Sequence, residues 1–137
     1  PMLPPSWMVA EVRSITSWSK TFDCLAHRED RKRIAAHFGL NPEVLDSWMH
    51  AVCYTRNLCA HHSRLWNREF TIKPMIAKGH EPHLQNNGRF YAQAYVIKSL
   101  LLKAAPESTW WSRLFDFVKE HEFVDRAAMG FPAGAQK

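Results

Sequence analysis

Apolar residues recur every three or four positions through most of this chain, which is the period of amphipathic helices. Near the start the pattern runs through Trp7, Val12 and Trp18, and Pro4 and Pro5 suit the first turn of a helix. The spacing therefore predicts a first helix from about residue 5 to about residue 25.

The next two helices are predicted by their end signals. A charged stretch at residues 27–33 leads into a short apolar repeat that stops at Gly39, a residue suited to the left-handed position after a helix. Asn41 followed by Pro42 is the strongest helix start in the chain. A third helix is expected from about residue 42 to about residue 66.

In the second half of the chain, helix-breaking residues interrupt the helical pattern. Prolines, glycines and asparagines interrupt residues 67–88, which predicts a long and mostly irregular loop. The helical period returns at Phe90 and holds to Ala105, so a fourth helix is expected there. Ser108 suits the cap of a fifth helix. Its expected inner face consists of Trp111, Leu114, Phe115 and Val118.

These patterns favour an all-α bundle of about five helices and contain no convincing strand. With 137 residues, the chain has the size of one domain, expected at 1–132, with 133–137 as a frayed tail. No apolar run reaches the roughly 20 residues of a membrane span, and no signal-peptide layout is present, so we expect a cytoplasmic protein without a membrane partner. The three cysteines are expected to be free and mostly buried. Because the chain opens on Pro1, we expect it to be the C-terminal part of a longer protein.

Charge adds a class of partner to this picture. The formal net charge of +5, with eight His besides, favours an anionic partner such as nucleic acid. On the predicted third helix, one stripe about 40 to 80° wide is polar, basic and rich in imidazole. The stripe consists of His50, Tyr54, Asn57, His61, Arg64 and Arg68.

Within the third helix, Arg56, Asn57 and His61 are the candidates for catalysis. An imidazole that titrates near neutrality is suited to moving a proton, and a guanidinium is suited to the oxygens of a phosphodiester. RNA supplies its own nucleophile, the 2′-hydroxyl, so this chemistry requires neither a metal nor a cofactor. His50, Tyr54, Arg64 and Arg68 are the predicted RNA contacts.

Helix geometry complicates this site. On an ideal helix Arg56 and His61 lie about 140° apart and do not aim at one point. Either the helix bends or ends near His61, or two copies of the chain build the site together. We favour a homodimer whose paired helices form one composite cleft.

Other interpretations of the same residues remain open. Residues 34–48 resemble a helix-turn-helix, but Pro42, Glu43 and Asp46 begin its second helix where base-reading donors would be needed. The polar stripe also suits a non-catalytic module that binds RNA or another protein. His62 is expected in the core, and His80 and His83 in solvent.

A zinc site has weaker support than the phosphodiester site. Cys53, Cys59, His61 and His62 are close in sequence, but the cysteine spacing is unusual for zinc and the two thiols fall on different faces. We therefore assign no metal site.

The run from Ser47 to Arg68, which contains Arg56, Asn57 and His61, resembles the signature of the Abi family, the bacterial abortive-infection proteins of the AbiD and AbiF type. Residues 3–8, 31–40 and 129–132 are also similar to that family, so the resemblance spans nearly the whole chain. Abi proteins are in turn similar to the HEPN superfamily, whose motif is an Arg, a polar residue and, a few positions on, a His.

The resemblance implies an α-helical, usually dimeric, metal-independent endoribonuclease that acts in phage defence or as a toxin. It assigns the motif to Arg56, Asn57 and His61. It also implies RNA as the substrate, a possible antitoxin partner, and a missing N-terminal region.

Overall fold

The computed structural model describes residues 4–121 and 123–132. Over these ranges the chain is all-α, with seven helices and no strand, so the predicted fold class is confirmed. None of the helices in these ranges combines the length and apolar character needed to cross a bilayer. The predicted frayed tail at 133–137 lies outside the described residues. The helices are α1 Ser6–Val12, α2 Ile15–Asp23, α3 Arg28–His37, α4 Pro42–Ala60, α5 Glu81–Leu84, α6 Phe90–Ala104 and α7 Trp110–Glu120.

The predicted first helix is wrong as a single element, because the chain breaks at residues 13–14. Arg13 has extended backbone angles, and Ser14 caps a new helix by accepting a hydrogen bond from the amide of Ser17 at 3.1 Å. A serine side chain that satisfies a free amide at a helix start favours such a restart over continuation. Because the apolar period continues across residues 13–14, the sequence pattern gave no sign of the break.

The turn between α3 and α4 forms as its end signals predict. Gly39 has a φ of +73°, and the amide of Leu40 donates to the carbonyl of Ala35 at 3.0 Å, which closes a Schellman motif. At the start of α4 the Asn41 side chain accepts a hydrogen bond from the Val44 amide at 2.8 Å. These signals act over a few residues, so the sequence alone was sufficient to predict the end of α3 and the start of α4.

Residues 67–88 form an extended connection as predicted, with the single turn of α5 inside it, but the connection is firmly attached to the helices. Gln93 of α6, almost fully buried, accepts a hydrogen bond from the Thr55 hydroxyl of α4 and donates to the carbonyl of Ile72. Phe70 and Pro74 are fully buried. Buried polar groups that are paired in this way fix the connection against both helices.

The core joins both halves of the chain. One apolar cluster contains Trp48 and Val96, and a second contains Phe22, Ala35 and Leu45. Leu40 and Leu100 pack against both clusters and link them. The predicted inner face of the last helix is confirmed, because Val118 is buried in the first cluster and its three partners pack against that cluster. The single-domain boundary at 1–132 stays a prediction.

Candidate active site at the end of α4

Helix α4 ends at Ala60, six residues before the predicted end near 66. The His62 amide donates to the carbonyl of Cys59, and the Ser63 amide donates to the carbonyl of Leu58 at 2.8 Å. This is again a Schellman motif, with His62 at the left-handed position and a φ of 52°. Histidine reaches this conformation more readily than bulky apolar residues do, although glycine is usual there. The helix therefore ends without the glycine signal that marks the end of α3.

His61 directly follows α4 as its C-terminal cap, and its side chain is exposed. The alternatives considered for the motif were a helix that bends or ends near His61 and a site shared by two copies. In the structure the helix ends just before His61. In the described part of the chain, no other side chain forms a hydrogen bond or ion pair with His61. The imidazole is thus open to an incoming substrate.

Arg56 and Asn57 lie one turn before His61. The Arg56 side chain is exposed, and its Nη1 donates to Oδ1 of Asn57 at 3.2 Å. Asn57 is half-buried, and its backbone carbonyl accepts the His61 amide at 3.0 Å. In this structure the Asn57 amide therefore orients the guanidinium, and its side chain leaves the His61 ring free.

Two predicted RNA contacts, Tyr54 and Arg68, are brought together by the chain that follows α4. A hydrogen bond from the Thr71 side chain, together with the Arg68 guanidinium, holds the pKa of Tyr54 below its usual range. The Tyr54 ring also packs edge-on against the buried Phe70. Thr71 was missed by sequence reasoning, since a lone threonine in an irregular loop carries no signal.

The other two predicted RNA contacts lie apart from this pair. His50 is exposed and borders a cleft of about 190 Å³ between α2 and α4, together with Lys20 and Asp46. Arg64 is exposed in the segment after α4. Its role and that of His50 in RNA binding stay predictions.

The expectation that His62 lies in the core is wrong, since its side chain is exposed. Its backbone conformation, with φ at 52°, places it outside the helix whose periodicity supported that expectation. The structural role of His62 therefore belongs to its backbone, whose left-handed conformation ends α4, and its side chain is exposed.

The left-handed backbone of His62 predicts a stabilising substitution. A side chain at this conformation costs about 1 kcal/mol, so His62→Gly should raise the free energy of unfolding by about 0.5–1 kcal/mol. His37→Gly, at the last position of α3, is the matched control and should lower it by up to about 1 kcal/mol. Urea unfolding measures both, and a loss of stability in His62→Gly would contradict the role assigned to this turn.

The cysteines are free, as expected, but only Cys53 is buried, whereas Cys24 and Cys59 are exposed. Burial raises the pKa of the Cys53 thiol, and its sulfur donates to the carbonyl of Ile15 at 3.4 Å. Among the described residues, no group of three or more His, Cys, Asp or Glu is placed to hold a metal ion.

His80 and His83 are half-buried rather than exposed, so that expectation is wrong. Their Nδ1 atoms lie 2.8 Å from the hydroxyls of Tyr95 and Tyr91, respectively, and His83 stacks on Tyr95 with ring centroids 4.2 Å apart. His83 and His80 are three positions apart at α5, and the tyrosines are four apart on α6. The matched spacing of the two histidines and the two tyrosines was a signal in the sequence. It can be interpreted as a set of contacts only once α5 is seen to pack on α6.

This histidine pair predicts a pH effect on stability. Burial, and then the charge of Lys98, lower the pKa of His83 from its ordinary 6.5. The unfolded chain therefore takes up this proton before the folded chain does, and the free energy of unfolding should fall as pH drops below about 6.5. His83→Gln should flatten this dependence between about pH 7 and pH 5, whereas His27→Gln, at an exposed site, should not. Equal pH profiles for His83→Gln and the parent chain would contradict the assignment.

Comparison with known proteins places the candidate residues in a family context. Residues 1–67 match the family of Abi-like proteins. The match covers 67 of the 137 residues, just under half of the chain, so it is the first part of the chain that is similar to Abi-like proteins. No curated protein and no solved structure matches the chain.

The Abi-like segment contains α1 to α4 and the turn at His62. Arg56, Asn57 and His61 lie inside it, as do His50, Tyr54 and Arg64. Arg68 and the residues 129–132 lie beyond it, so their resemblance to the family stays a prediction.

Proposed function

We propose that this protein is a metal-independent endoribonuclease of the HEPN type that acts in abortive infection or as a toxin. The observation that carries the proposal is the exposed end of α4, where His61 is open and the Arg56–Asn57 pair lies one turn away. This arrangement lies within the Abi-like segment, which supports a phage-defence context. The net charge of +5 supports an anionic substrate.

The reaction uses the substrate's own nucleophile. The 2′-oxygen of one ribose attacks the adjacent phosphorus as its proton leaves to a base, and the bond from phosphorus to the 5′-oxygen breaks. The products are a 2′,3′-cyclic phosphate and a 5′-hydroxyl. An imidazole serves as the base or as the acid that protonates the leaving oxygen, and this is the role of His61.

Arg56 supplies charge to the transition state. Its guanidinium donates to the non-bridging oxygens, whose negative charge grows as the new bond forms. Asn57 accepts a hydrogen bond from Arg56 and so holds it in place. Tyr54 and Arg68 would contact the RNA on the chain beyond the scissile bond.

A second copy of the chain completes the site in this proposal. Arg56 and His61 start from opposite sides of α4, about 140° apart on an ideal helix, and Arg56 bonds Asn57 rather than His61. In a homodimer, the Arg56 of one copy would serve the His61 of the other. We expect such a protein in the cytoplasm, where its RNA targets and an antitoxin would be found.

One observation favours a second candidate function, a non-catalytic module that binds RNA. Within the described residues, the Arg56 guanidinium is engaged by Asn57, and no contact joins it to His61. Recognition of DNA by a helix-turn-helix has less support, because Val44 and Leu45 at the start of α4 are buried in the core.

The experiment that tests the proposal is cleavage of single-stranded RNA in excess EDTA. We expect shortened products that carry 2′,3′-cyclic phosphate ends. RNA that is bound but not cut would favour the non-catalytic module. Cleavage that EDTA abolishes would contradict a metal-independent mechanism.

A further inference from the structure

An apolar groove of about 510 Å³ lies between α2, α3, α4 and α6. Apart from Thr21, the side chains that line it are apolar or aromatic. They include Trp18, Phe22, Ile34, Phe38, Met49 and Leu101. Trp18 and Ile34 remain substantially exposed at its edge. An open apolar groove is typical of an interaction or ligand-binding site.

The chemistry of the groove argues against a small-molecule ligand. Sites for such ligands combine apolar walls with a few polar groups that converge on the ligand and orient it. Thr21 could offer such a group, but its hydroxyl already accepts a hydrogen bond from Arg13 at 2.6 Å and donates one to the Ser17 carbonyl. The groove therefore suits an apolar side-chain surface, such as one face of a helix.

The chain itself carries an apolar helix without a partner surface. Helix α1 buries none of its residues, and Trp7 and Val12 are 62% and 84% exposed. Met8 lies one turn before Val12 on the same side and is 45% exposed. A helix this short is not stable in water by its own hydrogen bonds, so it requires packing from elsewhere.

Charge also matches between the two surfaces. Helix α1 contains one acid, Glu11, and no Lys or Arg, although the whole chain has a net charge of +5. Lys103 lies next to Ala104, which lines the groove on the α6 side, and it is exposed. On the α3 side, Asp30 and the half-buried Arg31 both lie one turn before Ile34, and their charges are opposite. Glu11 of a docked helix is therefore expected to face Lys103 on α6.

We propose that the groove receives helix α1 of a second copy of this chain, so that two copies exchange α1 in a twofold dimer. The break at Arg13–Ser14 is the joint about which α1 leaves its own chain. Each copy offers one helix and one groove, and a twofold arrangement fills both. The apolar stripe of Leu45, Met49 and Val52 on α4 continues one turn further to Arg56, so the docked helix lies beside the candidate active site.

Sedimentation velocity of the chain over roughly 1–100 µM tests this proposal without any reference to RNA cleavage. We expect a monomer–dimer equilibrium in this range. Trp7→Ser removes the largest side chain of α1 and should raise the dimer dissociation constant at least ~10-fold. Ala104→Trp fills the groove from its exposed rim and should have the same effect. Phe123→Ser, at a site that is 73% exposed and outside the groove, is the control and should change the constant less than about twofold.

A charge exchange tests the orientation. Glu11→Lys should weaken the homodimer, and Lys103→Glu should do the same. In an equimolar mixture, both interfaces of the heterodimer again join opposite charges, so the dimer should be regained by pairing across copies. A chain that stays monomeric throughout the range would overturn the proposal. So would a dimer that Trp7→Ser and Ala104→Trp both leave intact.

Discussion

Arg56→Ala and His61→Ala are each expected to lower the rate of RNA cleavage by about 10²–10³-fold or more. Removal of His61 takes away the group that transfers the proton, and removal of Arg56 leaves the developing negative charge without its donor. Both side chains are exposed, so neither substitution opens a cavity, and the thermal midpoint should stay close to that of the parent chain. Rates are measured with a single-stranded RNA in excess EDTA, and folding is checked by circular dichroism.

Two matched variants separate chemistry from loss of charge. His62→Ala removes an adjacent exposed imidazole, and Arg33→Ala removes an exposed guanidinium on α3. Both should retain cleavage within a few-fold of the parent rate. If cleavage persists in Arg56→Ala and in His61→Ala, the assignment of the site is wrong. If it disappears equally in Arg33→Ala, the loss reflects weakened electrostatic attraction of RNA rather than catalysis.

The same two variants also test whether the active site is shared between two copies of the chain. If Arg56 of one copy serves His61 of the other, a mixture of the two inactive variants contains heterodimers with one intact site. In such a mixture about half of the dimers are heterodimers, and each heterodimer has one working site out of two. The mixture should therefore regain up to about a quarter of the parent activity. A mixture that remains inactive while dimers form would indicate that both residues act within one chain.

Trp48→Ala is expected to lower the free energy of unfolding by about 3–5 kcal/mol. Trp48 is 1% exposed, and it lies in the main apolar cluster between α4 and the connection that follows. Its indole nitrogen donates to the Met75 carbonyl at 2.9 Å, and its ring meets His80 edge-on. Because typical domains are stable by only about 5–15 kcal/mol, this single change would remove a large share of the total.

Urea unfolding monitored by circular dichroism measures this loss. Trp48→Phe keeps most of the apolar volume but leaves the Met75 carbonyl without its donor, so a smaller loss of about 1–3 kcal/mol is expected. Trp66→Ala, at a residue that is 38% exposed, is the control and should cost less than about 1 kcal/mol. Equal effects at Trp48 and Trp66 would contradict the packing described here.

The C-terminal ends of α3 and α4 show how much of a helix end can be predicted from local sequence signals. Both helices end in a Schellman motif, one at Gly39 and one at His62. The first was predicted because glycine is the usual residue at a left-handed position. The second was missed, since histidine carries no comparable signal and the polar stripe continues to Arg68. After the turn at His62, the chain places Phe70 in the core, eight residues further on.

The histidines of α5 were misplaced for a related reason. A short segment with Pro82 between two histidines has the composition of an exposed loop. The hydroxyls that bind these imidazoles come from Tyr91 and Tyr95, on a helix that begins only after the next turn. Contacts between separate elements depend on how the elements pack, and an apolar period within one element carries no information about that.

By itself, the sequence determined the all-α class, the start of α4, the end of α3 and the choice of Arg56, Asn57 and His61 as candidates. Each of these depends on residue type and on spacing within a few positions, where backbone capping and helical periodicity operate. The tertiary structure alone decided that α4 ends at Ala60, just before His61, that Thr71 and Arg68 gather around Tyr54, and that a groove stays open between α2, α3, α4 and α6. These features depend on which surfaces the packed helices cover and which they leave exposed, and that is a property of the whole fold.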